Sequence, residues 1–106
     1  MELVNLLKQA KDVQSRMKAM QDHVSTMEAE GSAGAGLVCV TLNGKSELRR
    51  TAIDPSLLKL ENRQMLEDLI VAAHADAKVK VERLVAEEMQ KVARDMGLPP
   101  GLGLGA

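Results

Sequence analysis

The chain has 106 residues, with 14 Lys and Arg against 15 Asp and Glu, and a formal net charge of −1. It contains no Phe, Tyr or Trp, seven Met and a single Cys. This composition excludes a bulk positive field, a disulfide framework and a cysteine metal cluster, and it leaves a core without aromatic rings.

The length is that of one domain. A small aromatic-free core argues that burial is shared with a second copy of the chain. The amino-terminal MELVNLLKQAKD is charged from its second residue and has no signal-peptide apolar run. Nothing approaches ~18 consecutive apolar residues. The expectation is a cytoplasmic protein with no membrane partner.

Leu3, Leu6, Ala10, Val13, Met17, Met20, Val24 and Met27 follow one another in alternating steps of three and four. That is an a/d seam, and it predicts one helix over 3–28, roughly 40 Å long. Such a helix overhangs a domain whose radius of gyration would be about 13 Å, so its seam needs a cover. Methionine at three seam positions makes the packing adaptable. Lys8, Lys11 and Lys18 lie off the seam and Arg16 flanks it. They form either a solvated face or a phosphate-contacting ridge.

Residues 29–54 are expected to form a small antiparallel sheet, with Glu28–Ala33 as a short leading strand. Gly31, Gly34 and Gly36 are not a phosphate loop, because they follow a helix and open a strand. Tight turning and close backbone approach are their expected uses. Val38, Val40 and Leu42 alternate onto one face. Asn43-Gly44 is the strongest hairpin signal. A three-residue loop Asn43-Gly44-Lys45 would pair Val40 with Leu48 and keep apolar beside apolar. Leu48 and Ile53 are an odd number apart, so for both to face the core a bulge is needed near Arg49-Arg50, unless Ile53 has already left the sheet. Cys39 reads as a half-buried reduced thiol.

Asp54 and Pro55 start a short capped turn. A second helix is expected over 62–96, with Leu66, Ile70, Ala73, Ala77, Val81 and Leu84 at helical spacing. Its alanines suit close backbone approach. Lys78, Lys80 and Arg83 cluster midway, with Lys91 and Arg94 further along and Asp76, Glu82, Glu87 and Glu88 interleaved. Gly97-Leu98-Pro99-Pro100 ends the helix, and 97–106 reads as a flexible tail. The fold class is therefore α+β, a single domain over 1–96 with helix, small sheet and long helix.

The core and dimer seam is expected to comprise Leu6, Val13, Met17, Met20 and Val24, then Val38 and Val40, then Leu66 and Ile70. No nucleophile–base pair, apolar carboxylate pair or H-E-x-x-H spacing is present. His23 and His74 stand far apart. No enzyme activity, metal, cofactor or small-molecule substrate is expected.

The run Glu30–Leu58, EGSAGAGLVCVTLNGKSELRRTAIDPSLL, resembles the signature region of the YbaB/EbfC nucleoid-associated proteins. Gln64–Ile70, the Met- and Lys-rich first helix and the Gly-Leu-Pro-Pro-Gly ending resemble them as well, so the likeness spans nearly the whole chain. It implies an α-β-β-β-α fold, a homodimer with projecting helices and duplex DNA as partner in the bacterial nucleoid. Two positions depart from the pattern: Cys39 where the family often has Lys, and His74 where it often has Phe. Without a helix-turn-helix or an aromatic platform, such binding would run through phosphates. Lys8, Lys11, Lys18, Lys78, Lys80 and Arg83 are the candidate contacts, with Arg49 and Arg50 secondary. The alternative is a dimeric adaptor or chaperone-like module that uses the Met-rich seam.

Overall fold

The computed structural model describes residues 2–95 and Gly97. Its elements run α1 (Glu2–Thr26), β1 (Glu28–Ala33), β2 (Val38–Asn43), β3 (Leu48–Ile53), two single 3-10 turns (Pro55–Leu57 and Leu60–Asn62) and α2 (Arg63–Asp95). The sheet is antiparallel in the order β1-β2-β3. This is the expected α-β-β-β-α arrangement. The molecule measures 72 × 22 × 16 Å with a radius of gyration of 19.6 Å, well above the ~13 Å of a compact chain this long. The excess comes from helices of roughly 37 Å and 50 Å.

Helix α1 stops at Thr26, two residues before the expected end. The Ser25 and Thr26 hydroxyls donate to the carbonyls of Asp22 and His23 at 2.7 and 2.6 Å, and Met27 N–H turns back to the Val24 carbonyl. These local bonds offer the backbone an alternative to a further helical turn. Only Val24 of α1 is fully buried. It sits under Gly44, where any Cβ would collide with the Val24 carbonyl, so the foot of α1 is fixed against the β2–β3 hairpin.

Helix α2 packs on β1 and β2. Val38, Val40 and Leu42 of β2, with Leu57, Ala73, Ala77 and Val81, form the core, and Leu66, Leu69, Ile70, Leu37 and Ile53 pack around it. Each fully buried valine or leucine of this core contributes about 2 kcal/mol. Gly31 makes the close approach possible, because its bare Cα faces the backbone of α2 at Ala73 and Ala77. Gly34 and Gly36 adopt positive φ in the β1–β2 turn, and Ala35 between them does so too, at φ 56°. The predicted uses of these glycines hold.

The β2–β3 register differs from the expected one. Val40 pairs with Thr51 rather than Leu48, and Leu42 pairs with Leu48. Four residues, Gly44 to Glu47, separate the two strands, and the Asn43 N–H donating to the Glu47 carbonyl at 3.0 Å leaves Gly44-Lys45-Ser46 as the loop itself. Asn43 stays in the strand, and its Oδ1 accepts from Lys45 N–H at 3.0 Å and Glu47 N–H at 2.9 Å. Its side chain, not its backbone at a corner, builds the turn, and Ser46 takes the left-handed position at φ 62°. The bulge falls at Arg49, between the Thr41–Arg50 and Leu42–Leu48 pairs, and Ile53 stays in the sheet; Ile53 packs against the core, whereas Leu48 is 56% exposed.

Asp54 caps the first 3-10 turn by accepting from Ser56 N–H at 2.9 Å, with Pro55 at its first position. Because the connection takes up two such turns, α2 starts at Arg63, one residue later than expected. The expected tail beyond Gly97 lies outside the described residues.

Candidate nucleic-acid interface

The expected seam divides into two sets. Val24, Val38 and Val40 are buried in this chain, and Leu66 and Ile70 pack half-buried against its core. Leu6, Val13 and Met17 are instead 61%, 46% and 51% exposed, and Met20 is half-buried. The chain's own core therefore uses the sheet and α2, while the seam of α1 faces outward along most of its length.

The lysines of α1 lie on its other side. On a helix that turns roughly 100° per residue, Lys8, Lys11 and Lys18 fall within about 80° of one another and about 150° from the seam. All three are exposed and make no ion pair among the described residues. They rise along roughly 15 Å of the helix. Arg16 lies off this ridge and is held by Asp12 at 3.3 Å.

The α2 cluster is not one ridge. Lys80 and Arg83 stand about 60° apart, but Lys78 lies about 160° round from Lys80. Lys91 and Arg94 repeat the positions of Lys80 and Arg83 roughly three turns further on, so one flank of α2 carries Lys80, Arg83, Lys91 and Arg94, all exposed, with Asp76 and Glu87 on the same side. The three-residue spacing of each pair was visible in the sequence. Nearness along the chain therefore does not make Lys78 a neighbour of Lys80 and Arg83 on the helix surface.

Two of the candidate cations are already engaged. Lys80 Nζ lies 2.9 Å from Asp76 Oδ2, and the same oxygen accepts from Ser32 N–H at 3.0 Å. The Lys80 ammonium, then the Ser32 amide, hold the Asp76 carboxyl below the usual carboxylate range. Arg50 Nη2 donates to Glu28 Oε1 at 2.7 Å, which lowers the Glu28 pKa and raises that of Arg50. This pair bridges β1 and β3 across the sheet face away from α2, a contact no local sequence pattern reports. Arg49, the bulge residue, is exposed.

Near the sheet, His23 Nε2 of α1 lies 3.1 Å from Glu88 Oε1 of α2. With the Val24–Gly44 contact, this pair joins the end of α1 to the body of the molecule. A shallow groove of about 240 Å³ opens between the β2–β3 hairpin and α2, lined by Gly44, Ser46, Val81, Glu82, Val85, Ala86 and Met89. Cys39 is half-buried, and burial, then the Glu30 carboxylate, push its thiol pKa up, which leaves it a poor nucleophile. His74 is exposed. Among the described residues no group of His, Cys, Asp and Glu is placed to hold a metal, and no helix is long and apolar enough to cross a membrane.

The sheet thus carries two long helices, each with exposed lysine side chains. The chain belongs to the YbaB/EbfC DNA-binding family, whose pattern it matches over residues 1–96. It is 58% identical over 96% of its length to a nucleoid-associated protein of Granulibacter bethesdensis, covering 95% of that protein. A nucleoid-associated protein of Brucella anthropi is 50% identical over 97% of this chain and 96% of its own. The crystal structure of the uncharacterized protein HP0035 from Helicobacter pylori matches 91% of this chain and 97% of its own with a TM-score of 0.67 at 24% identity, a likeness of fold.

Proposed function

We propose that this protein binds duplex DNA as a homodimer in the bacterial nucleoid, through phosphate contacts and in an architectural or regulatory role. The observation that carries this reading is the division of α1 into an outward apolar seam and an opposed lysine ridge. A second copy covering Leu6, Val13, Met17 and Met20 would leave Lys8, Lys11 and Lys18 facing solvent, where an anionic duplex can meet them. The apolar groove at Val85 and Met89 gives that second copy a further place to seat. Arg83, Lys78 and Arg49 supply additional positive charge, Lys80 and Arg50 are offset by Asp76 and Glu28, and no catalytic step is assigned.

Phosphate contact makes binding weaken steeply with salt, because each neutralised phosphate releases condensed cations. The test is a gel-shift titration of a duplex from low to moderate salt, run beside light scattering of the free protein. The reading expects a dimer mass and a complex that dissociates as salt rises. A monomer mass at micromolar concentration, or no duplex binding even at low salt, contradicts it. A partner set captured equally well after nuclease treatment would favour the adaptor reading instead.

A further inference from the structure

We propose that Asp76 is a positioning residue of the DNA interface, holding Lys80 away from phosphate and so setting the affinity and salt response of the α2 flank. This rests on the duplex-binding reading above. The geometry is specific. Asp76 Oδ2 takes the Ser32 amide at the open edge of β1 and Lys80 Nζ at once, at 3.0 and 2.9 Å. The carboxylate is therefore tied to the sheet and cannot follow Lys80 outward. A bond to the edge strand's free N–H also accounts for an acidic residue at this point of the helix, since unpaired edge amides need a partner. Arg83 and Lys91, on the same flank, make no ion pair among the described residues, and Glu87 stands four residues from each. Lys80 is the cation nearest the sheet on that flank and the one its own chain has engaged.

Two consequences follow. Removing the Asp76 charge frees one ammonium per protomer, and a phosphate it reaches is a new neutralised phosphate. An exposed pair of this kind is weak, so the gain is modest: roughly 2- to 20-fold tighter binding for a dimer. The plot of log K against log salt becomes steeper by about 0.9 for each phosphate gained.

The experiment is a salt series of fluorescence-anisotropy titrations, using the full chain and one labelled duplex. The variants are Asp76→Asn, Lys80→Gln, the double variant and Glu61→Gln. Asparagine keeps an oxygen for the Ser32 amide, and Asp76→Ser is a second route if it folds poorly. The expected result is tighter binding and a steeper slope for Asp76→Asn, with that gain lost in the Lys80→Gln background. Glu61→Gln, an equal charge change at an exposed carboxylate that pairs with no cation among the described residues, leaves the slope unchanged. An equal gain with or without Lys80, or the same gain from Glu61→Gln, is a net-charge effect and overturns the proposal. So does an Asp76→Asn protein that binds as the wild type does. Wild type that binds no duplex at any salt overturns the reading beneath it, a distinct result.

Discussion

Gly31 of β1 lies directly against the backbone of α2, so that a side chain there would strike the Ala77 nitrogen and the Ala73 carbonyl. The contact brings helix and sheet together over the smallest side chains in the core, and neither backbone can retreat without unpacking Val38, Val40 and Val81. Gly31→Ala is expected to cost about 2 to 3 kcal/mol, a fall in Tm of roughly 10 to 20 °C. A thermal melt followed by circular dichroism reads it directly, and an unchanged Tm would mean that the helix is not seated as described.

The β1–β2 turn carries the opposite opportunity. Ala35 sits at φ 56° between Gly34 and Gly36, in the region where an L side chain costs about 1 kcal/mol or more. Glycine removes that cost and loses part of the gain to greater freedom in the unfolded chain. Ala35→Gly is expected to raise stability by about 0.5 kcal/mol, or a few degrees in Tm (roughly 2 to 4 °C).

Acid should weaken the fold through Asp76 and Glu28. Both carboxyls have folded-state pKa values below their ordinary ones, Asp76 through Lys80 and Ser32 and Glu28 through Arg50. A depressed carboxyl contributes stability that is present above its unfolded pKa and lost as pH falls through its folded value. The melting temperature is therefore expected to hold near neutrality and to drop once pH passes below the ordinary carboxylate range of about 4. Asp76→Asn should flatten part of that acid limb. A Tm series in pH for both proteins checks the sign.

The seam of α1 yields a prediction about assembly. Val13 and Met17 are about half exposed in the single chain and contribute nothing to its core. Val13→Glu with Met17→Glu is expected to leave the melt of the sheet and α2 little changed while shifting the mass by light scattering from dimer to monomer. A dimer that survives both charges would place the interface elsewhere.

Much of this was legible in the sequence because it is periodic or sterically forced. The seam from Leu3 to Val24 declares a helix, the alternation of Val38, Val40 and Leu42 declares a strand, and the parity of Leu48 and Ile53 points to a bulge near Arg49, although Leu48 itself stays exposed. The β2–β3 register was not legible. It depends on the Asn43 side chain taking two amides, which moves the loop one residue toward Ser46. Nor was the Arg50–Glu28 pair, since it exists only once three strands lie side by side. Lys78, Lys80 and Arg83 looked like one cluster because they are close along the chain, although helical rotation separates Lys78 from the other two. Lys8, Lys11 and Lys18 survive the same test, because steps of three and seven keep them on one side of α1.

The central claim, that the α1 lysine ridge grips phosphate, is tested most directly by the salt dependence of duplex binding for wild type and for Lys8→Gln/Lys11→Gln/Lys18→Gln. Each lysine that touches phosphate contributes about 0.9 to the slope of log K against log salt. The account predicts a triple variant that remains dimeric, binds duplex weakly at low salt, and has a slope shallower by at least about 2, up to roughly 5 if all six lysines of a dimer make contact. Equal affinity and equal slope for the two proteins would contradict it.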